Sequence, residues 1–183
     1  IVLAVVVHVI KEFKVNLDEL HNDSTTITFF RRYEGAGEEG TWGGKVVHAI
    51  TWGHNKDHRP DLKQLLYNLS MSADGAVPVH YFTGNGNLTD DQTHRETWDL
   101  LRMLKGSADF LYVADAKLAT KESMGYMAAA VGAEAELSKL FRESALALVQ
   151  DYPSFPALFV NVHPSELESP LLVPEIVTLR ERC

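Results

Sequence analysis

Cysteine is almost absent from this sequence, since the single one among 183 residues is the last, Cys183. One thiol excludes an internal disulfide framework and a zinc site built from several cysteines, and it fits a reducing, cytoplasmic setting. Basic residues are also few, with 17 Lys and Arg against 25 Asp and Glu and a formal net charge of −8. Because phosphate backbones are bound by clustered cations, this balance excludes a chain that binds nucleic acid over its whole surface. A local basic site is still compatible with it.

A hydrophobic run long enough to span a membrane is missing as well. The apolar stretch IVLAVVVHVI at the start gives way to KEFK after ten residues, about half of what a membrane helix needs. It lacks the basic start and the small-residue cleavage site of a signal peptide. The stretch therefore predicts a buried helix leading into VNLDEL, and we expect no membrane partner. The first residue is Ile and not Met, from which we expect that further sequence precedes it.

The patterns that are present predict alternating strands and helices. Alternating β-branched and aromatic residues predict a strand over 25–30, and KVVHAITWG predicts a second strand paired with it. Pro60 and leucines at helical spacing predict a helix in HNKDHRPDLKQLLYNLSMSADG. Further along, AVPVHYF predicts a strand, residues 92–105 a helix, SADFLYVADAKL a buried strand and KESMGYMAAAV a helix. This order is typical of an α/β fold.

The pattern changes around Gly132, which predicts a domain boundary near residue 131. The tail, 132–183, contains an amphipathic helix in AEAELSKLFRESALALVQ, a buried strand in PSFPALFVNVHPSEL and a last helix in SPLLVPEIVTLRERC. We therefore expect a separate α/β segment at the C-terminal end.

Two acidic residues lie at the edges of predicted strands, Asp23 before the first and Asp115 at the end of the fourth. In one interpretation Asp23 forms a turn with its polar neighbours and Asp115 caps the next helix. In the other, the two strands are neighbours and the carboxylates converge where α/β sheets bind ligands. Two close carboxylates repel unless a cation lies between them, which predicts a site for Mg²⁺ or Mn²⁺. Such ions activate water and hold the oxygens of a phosphoryl displacement.

A cluster of cations lies in GHNKDHRPDLKQ, where Lys56, Arg59 and Lys63 fall within eight residues. They can lie along a DNA backbone, as side chains that position it without specifying sequence. They can equally face solvent with Asp57 and Asp61 as local partners. The sequence leaves both interpretations open.

Four blocks of the sequence closely resemble, in order and spacing, the DDE (Asp-Asp-Glu) transposases of bacterial insertion sequences: LHNDSTTITF, ITWGHNKDHRPDLKQLL, SADGAVPVHYFTGNGNLTDDQTHRETWDLLR and DFLYVADAKL. The resemblance covers roughly residues 10–128. It implies a ribonuclease H-like mixed sheet flanked by helices, in which three acidic residues bind two Mg²⁺ or Mn²⁺ ions that cut and join DNA. Asp23 and Asp115 match the first two acids. The resemblance also implies DNA as partner and a homo-oligomer when the protein is intact.

The resemblance ends after MAAAV, before the family's third acid, a Glu on a downstream helix. The sequence does not identify that acid among Glu134, Glu143 and Glu166. From VGAEAELSKLF to NVHPSELESP the tail instead resembles part of an EAL domain, the cyclic-di-GMP phosphodiesterase family. In that family the Asn of FVNVHP helps to bind a metal, and the matching residue is Asn161.

These resemblances predict an incomplete transposase catalytic domain over residues 1–131, followed by an EAL-like fragment or an unrelated tail over 132–183. We expect the chain as given to be inactive in strand transfer, because the third acid is not found. Two alternatives stay open, a signalling protein with an EAL-like domain and an inactive gene-fusion product.

Overall fold

The computed structural model describes residues 2–89, 93–149 and 162–181. They form two compact units, the first ending at Thr120 and the second beginning at Lys121. The sequence pattern predicted a boundary near residue 131, so the helix of KESMGYMAAAV belongs to the second unit and not to the first. Among the described residues, no helix combines the length and the apolar character needed to cross a membrane. The elements are α1 (Val2–Phe13), β1 (Glu19–Phe29), β2 (Gly40–Trp42), β3 (Lys45–Val47), β4 (Lys63–Ser72), β5 (Pro78–Gly84), α2 (His94–Lys105), β6 (Leu111–Val113), α3 (Lys121–Val131), α4 (Glu134–Val149) and α5 (Leu172–Glu181).

The first unit is a mixed α/β structure built on a four-stranded sheet, with α1 and α2 contributing to its core. The strand order is β5-β4-β1-β6. The pairs β5–β4 and β4–β1 are antiparallel, whereas β6 runs parallel to β1. Neighbouring parallel strands need a crossover connection, and α2 lies in the segment that leads to β6. The predicted α/β class with a mixed sheet and helices is confirmed.

The segment predicted as a helix around Pro60 is instead the strand β4, so this prediction is wrong. Leu62, Leu65, Leu66 and Leu69 have helical spacing, but burial alternates along β4 with a period of two residues. The strand is paired on both edges, by β1 and by β5. Pairing with two neighbours overrides the local helical pattern, since strand preference depends on tertiary context.

The stretch KVVHAITWG does not pair with β1, which corrects a second prediction. Its first residues form β3, which pairs with β2 in a separate hairpin. Gly43 and Gly44 lie at the turn with φ of +58° and +74°, and two positive φ angles are typical of a type I′ hairpin turn. These glycines reverse the chain locally and so keep β3 with β2. Thr51 alone forms a bridge to the large sheet, opposite Gln64.

The apolar run at the start of the chain forms a helix as predicted, but the expected burial is wrong. No residue of α1 is buried, and Val2 and Val5 are 50% and 55% exposed. Val6 and Ile10 pack against the core. The helix therefore packs on the core through only one narrow stripe of its surface, the one that carries Val6 and Ile10. The residues that form the buried core cluster are Leu17, Leu20, Val79 and Leu101.

The buried face of the sheet becomes polar beyond Leu20. Asn22 and Ser70 face each other across β1 and β4, and Ser70 Oγ donates to Asn22 Oδ1 at 2.8 Å. Asn68 is fully buried, and neither polar atom of its side chain is hydrogen-bonded to a described residue. Buried amides of this kind are satisfied by water or by a further polar group. A polar layer therefore lies directly beneath the part of β1 that carries Asp23.

Gly53 and Gly86 allow two loops to approach the start of β4 closely. A Cβ on Gly86 would lie 2.0 Å from the carbonyl oxygen of Gln64 and 2.5 Å from that of Thr51. Gln64 Nε2 donates to the Gly86 carbonyl at 2.7 Å, within the buried interior. Only a residue without a side chain fits at this point.

The second unit contains α3, α4, a short 3₁₀ helix (Pro164–Glu168) and α5. The helices predicted in KESMGYMAAAV, in AEAELSKLFRESALALVQ and near the C-terminal end are confirmed. Arg142 and Glu166 form a buried ion pair, with Nη2 and Oε2 2.7 Å apart. Most of the strand predicted in PSFPALFVNVHPSEL falls on residues outside the described part of the chain.

Candidate functional site

The parallel pairing of β1 with β6 determines where the two candidate aspartates lie. Leu20 is opposite Tyr112 and His21 is opposite Val113. Asp23 and Asp115 each lie two residues further along the chain, Asp23 still within β1 and Asp115 just beyond the end of β6. Adjacent strands are about 4.8 Å apart. The predicted adjacency of the two strands is therefore confirmed, although they are 92 residues apart in sequence.

Asp23 lies inside β1, which starts at Glu19, and the prediction that it precedes the strand is wrong. Its side chain is 83% exposed, because it points to the face opposite the buried Asn22 and Ser24. The Ser24 backbone N–H donates to Asp23 Oδ1 at 2.8 Å. This contact turns the carboxylate toward the edge of β1, where its oxygens face solvent.

Lys56 lies at the same edge of β1. Its Nζ donates to the Ser24 carbonyl oxygen and, at 2.8 Å, to Ser24 Oγ, and it is 3.7 Å from Asp23 Oδ1. The carbonyl of Asp18 accepts from Leu111 on the β6 side of β1. Carbonyls six residues apart in a strand point to the same edge, so that of Ser24 also faces the β6 side. Lys56 therefore covers the part of this edge that β6, which ends at Val113, leaves unpaired.

Asp115 follows β6 and starts a short 3₁₀ helix, Ala116–Leu118, by accepting from the Lys117 backbone N–H at 3.0 Å. The strand ends two residues before Asp115, not at it as predicted. His94 Nε2 is 3.7 Å from Asp115 Oδ1, and the His94 side chain is 2% exposed. The Asp115 side chain is 41% exposed, so one side faces a buried imidazole and the other stays accessible.

Tyr112 contacts the other nitrogen of the His94 ring, Nδ1. The distance between the Tyr112 hydroxyl and His94 Nδ1 is 3.1 Å. Burial, and then the charge of Asp115, raise the pKa of Tyr112 far above its usual value, so the hydroxyl keeps its proton. Either group can donate in this contact, depending on the tautomer of the His94 ring. Tyr112, His94 and Asp115 thus lie in a row of polar groups, with the carboxylate at its accessible end.

The two aspartates have the donor chemistry that Mg²⁺ or Mn²⁺ requires. Both supply hard carboxylate oxygens, and both are accessible. Among the described residues, no group of three His, Cys, Asp or Glu side chains could hold a metal ion. Mg²⁺ is commonly bound by one or two carboxylates, with water and substrate phosphates completing its shell. Asp23 and Asp115 supply ligands of this chemical type, one from within β1 and the other from the residues that follow β6.

The three cations predicted to contact phosphate do not form one group. Lys56 lies beside Asp23, as described above. Arg59 forms a two-point ion pair with Asp61, at 2.8 and 2.6 Å, and its hydrogen bonds lower the pKa of Asp61. Lys63 begins β4, donates to the Tyr33 carbonyl at 3.1 Å and lies 4.8 Å from the centre of the Trp52 ring. The local-partner interpretation therefore holds for Arg59, while Lys63 contributes to a separate cleft.

That cleft has a volume of about 670 Å³ and lies where β1 ends and β4 begins. Phe29 packs edge-on against Tyr33, with ring centres 5.0 Å apart. Phe30 and Trp52 are 76% and 58% exposed. We call this surface the aromatic cleft; its lining includes Phe29, Phe30, Arg31, Arg32, Trp52 and Lys63.

In the second unit, the Glu166 carboxylate is occupied by hydrogen bonds within the fold. It accepts from Arg142 and, at 2.8 Å, from the His163 backbone N–H. The Arg142 hydrogen bond, with help from other donors, lowers the pKa of Glu166 to about 2. Glu134 and Glu143 lie on α4. Asn161, the EAL-like metal position, lies outside the described residues.

The sequence interpretation missed His94, Tyr112 and the aromatic cleft. Tyr112 precedes Asp115 by three residues in FLYVAD, a proximity that was visible in the sequence. His94 is distant in sequence and reaches the site only because α2 packs on the sheet. Comparison of the chain with protein-family models, with curated proteins and with solved structures finds no match.

Proposed function

We propose that the first unit is the incomplete catalytic core of a DDE-class insertion-sequence transposase with a ribonuclease H-like fold. The observation that carries the proposal is the parallel pairing of β1 and β6, since Asp23 lies on the first of these neighbouring strands and Asp115 follows the second by two residues. The mixed sheet supports it too, with three antiparallel strands followed by a parallel one. The motifs around both aspartates resemble those of the family at the same positions.

The proposed reaction is phosphodiester cleavage in DNA followed by strand transfer. Water attacks the phosphorus at the end of the element, the P–O bond to the 3′ oxygen breaks, and that oxygen leaves as a 3′ hydroxyl. The hydroxyl then attacks a target phosphodiester and displaces its 3′ oxygen. A bound Mg²⁺ or Mn²⁺ would activate the attacking group and neutralise charge on the phosphate.

The residues of this chain have distinct parts in that reaction. Asp23 and Asp115 would supply oxygen ligands to the ion. His94 orients the Asp115 carboxylate from its buried side, and Lys56 brings a positive charge beside Asp23. The transposase itself would be cytoplasmic, would act on DNA and would assemble as a homo-oligomer when complete. The signalling alternative depends on Asn161, which the structure does not describe.

Divalent-ion binding is the direct test of this proposal. Electron paramagnetic resonance of free Mn²⁺, titrated with the full chain, measures the affinity. Asp23→Asn and Asp115→Asn should each weaken binding by about tenfold or more, since even groups that merely orient metal ligands are worth about 10- to 100-fold. Asp109→Asn, which removes an exposed carboxylate before β6, should leave the affinity unchanged. Equal affinities for all four proteins would overturn the proposal.

A strand-transfer assay is a second test, and here we expect no activity, although we expect the chain to bind divalent ions. The chain as given should not join a cognate DNA end to a plasmid in Mg²⁺, because only two of the family's three acids are identified. Joining products on a gel would show that the chain holds a complete site, and would direct attention to the glutamates of the second unit.

A further inference from the structure

We propose that the aromatic cleft binds unpaired nucleotides of DNA. The proposal rests on the proposed function for the identity of the polymer as DNA, but it concerns a different surface from the aspartate site. It follows from three properties of the cleft: exposed aromatic rings, an excess of positive charge and its distance from Asp23.

The aromatic rings are the first property. Phe30 and Trp52 expose 76% and 58% of their surfaces while lining a concavity. Isolated exposed aromatic residues are common, but rings that line one cleft together with cations are the composition of a single-strand binding site. Every base has a face that stacks on such rings, and this stacking is available only to bases that are not already paired and stacked.

The charge of the cleft is the second property. Arg31, Arg32 and Lys63 line it, with Glu34 and Asp61 as the acidic members. Arg59, which is paired with Asp61, is a fourth cation, with its guanidinium carbon 6.0 Å from the centre of the Phe30 ring. The surroundings are thus net positive in a chain whose formal net charge is −8. Positive charge concentrated beside aromatic rings matches the phosphates and bases of one DNA strand.

Position is the third property. Phe29 is the last residue of β1 and lies six residues after Asp23 along the same strand. At about 3.3 Å per residue, the cleft is about 20 Å from the carboxylate. One strand of DNA advances about 3.4 Å per stacked nucleotide, so about six nucleotides span this distance. A strand held in the cleft can therefore extend to the aspartate pair.

Fluorescence anisotropy of a labelled 20-nucleotide oligothymidine tests the proposal on the full chain in EDTA, without divalent ions. We expect single-stranded DNA to bind more tightly than a duplex of equal length. Phe30→Ala and Trp52→Ala should each weaken binding by about 5- to 150-fold, the range of one lost stacking contact. Trp52→Phe, which keeps a ring, should restore most of the affinity. Arg31→Gln should reduce the slope of log affinity against log salt by about 0.7.

Phe13→Ala is the matched control, because Phe13 is 73% exposed at the end of α1 and lies outside the cleft. It should bind oligothymidine like the unsubstituted chain. Affinity unchanged by Trp52→Ala, or equal affinity for duplex and single strand, would overturn the proposal. So would a Trp52→Ala variant that loses self-association in sedimentation while keeping DNA affinity, since the cleft would then be a protein interface.

This test is separate from the test of the aspartate site. Asp115→Asn removes a metal ligand under the proposed function, and oligothymidine binding in EDTA requires no metal. Loss of Mn²⁺ binding with intact oligothymidine binding would establish that the cleft acts independently. Normal Mn²⁺ binding with absent oligothymidine binding would refute the cleft proposal alone.

Discussion

Replacing Lys56 with Met is expected to strengthen divalent-ion binding at Asp23. The substitution removes an ammonium group 3.7 Å from Asp23 Oδ1 and keeps most of the apolar stem of the side chain. The Lys56 side chain is 31% exposed, so water can reach the Ser24 oxygens that it leaves. The change therefore acts mainly through charge.

The expected gain in affinity can be calculated from the distance between the Lys56 ammonium group and the bound ion. An ion bound to the Asp23 carboxylate lies about 2.1 Å from an oxygen, which puts the ammonium at most about 6 Å from it. Charges of +1 and +2 at that separation repel by about 1.4 kcal/mol in water, equivalent to about tenfold in affinity. At 0.15 M salt the Debye length is about 8 Å, which reduces the repulsion by about half and the effect to about threefold.

Mn²⁺ titrations of Lys56→Met at 0.01 M and 0.15 M salt check both values. The gain in affinity should be about twofold larger at the lower salt concentration, about sevenfold against about threefold, because the Debye length there is about 30 Å. Lys45→Met, on the exposed strand β3, is the control and should change little. A weaker Mn²⁺ affinity in Lys56→Met would refute the reasoning, because it would mean that Lys56 orients Asp23 more than it repels the ion.

Two further predictions concern stability. The lowered pKa of Glu166, about 2 against an ordinary 4.5, stabilises the second unit by about 3 kcal/mol above pH 4.5, and this is lost as pH falls from 4.5 toward 2. The protection of α4 against hydrogen exchange, taken relative to the intrinsic exchange rate at each pH, should therefore fall over that range, and Glu166→Gln should remove most of this pH dependence; protection that stays constant with pH in the unsubstituted chain would contradict it. Gly86→Ala should lower the free energy of unfolding by about 2 kcal/mol, because its Cβ would lie 2.0 Å from the Gln64 carbonyl oxygen. Urea unfolding followed by tryptophan fluorescence measures this, with Gly35→Ala, whose Cβ meets nothing within 4 Å, as a control that should match the unsubstituted chain.

Helices with a clear amphipathic pattern were predictable from the sequence, whereas β4 was not. Leucines spaced as in a helix and a proline at a plausible helix start outweighed the alternation in the same segment. The buried positions of β4 include Gln64, Asn68, Ser70 and Ser72, so the alternation is not a hydrophobic one. A strand that buries polar side chains gives no apolar period of two, and only its pairing with β1 and β5 reveals it.

Asp23 and Asp115 could be selected from the sequence because each lies in a local motif, and the only long-range assumption was that their strands are neighbours. That assumption is correct. The partners of the pair were not predictable, since Lys56 and His94 reach it from a loop and from a helix. Lys56 was expected to contact DNA phosphate, an expectation that its place beside Asp23 neither requires nor excludes.

The aromatic cleft was hidden for a related reason. Phe30 and Trp52 are 22 residues apart, and a pattern search treats each as a separate apolar residue. They line one concavity because Thr51 pairs with Gln64 and so places the 51–53 segment beside the start of β4. A single bridge of this kind has no recognisable sequence pattern.

The strand order has a consequence for how the chain folds during synthesis. β1 gains its β6 neighbour only after about 90 further residues have been made, which takes about 5 to 20 s at typical ribosomal rates. Throughout that interval one edge of β1 has no partner strand and can pair with another nascent chain. Charged residues at an edge discourage such pairing, and Asp23 lies in the middle of this one. Asp23, which we propose to bind a metal ion, would thus also protect the nascent chain from aggregation.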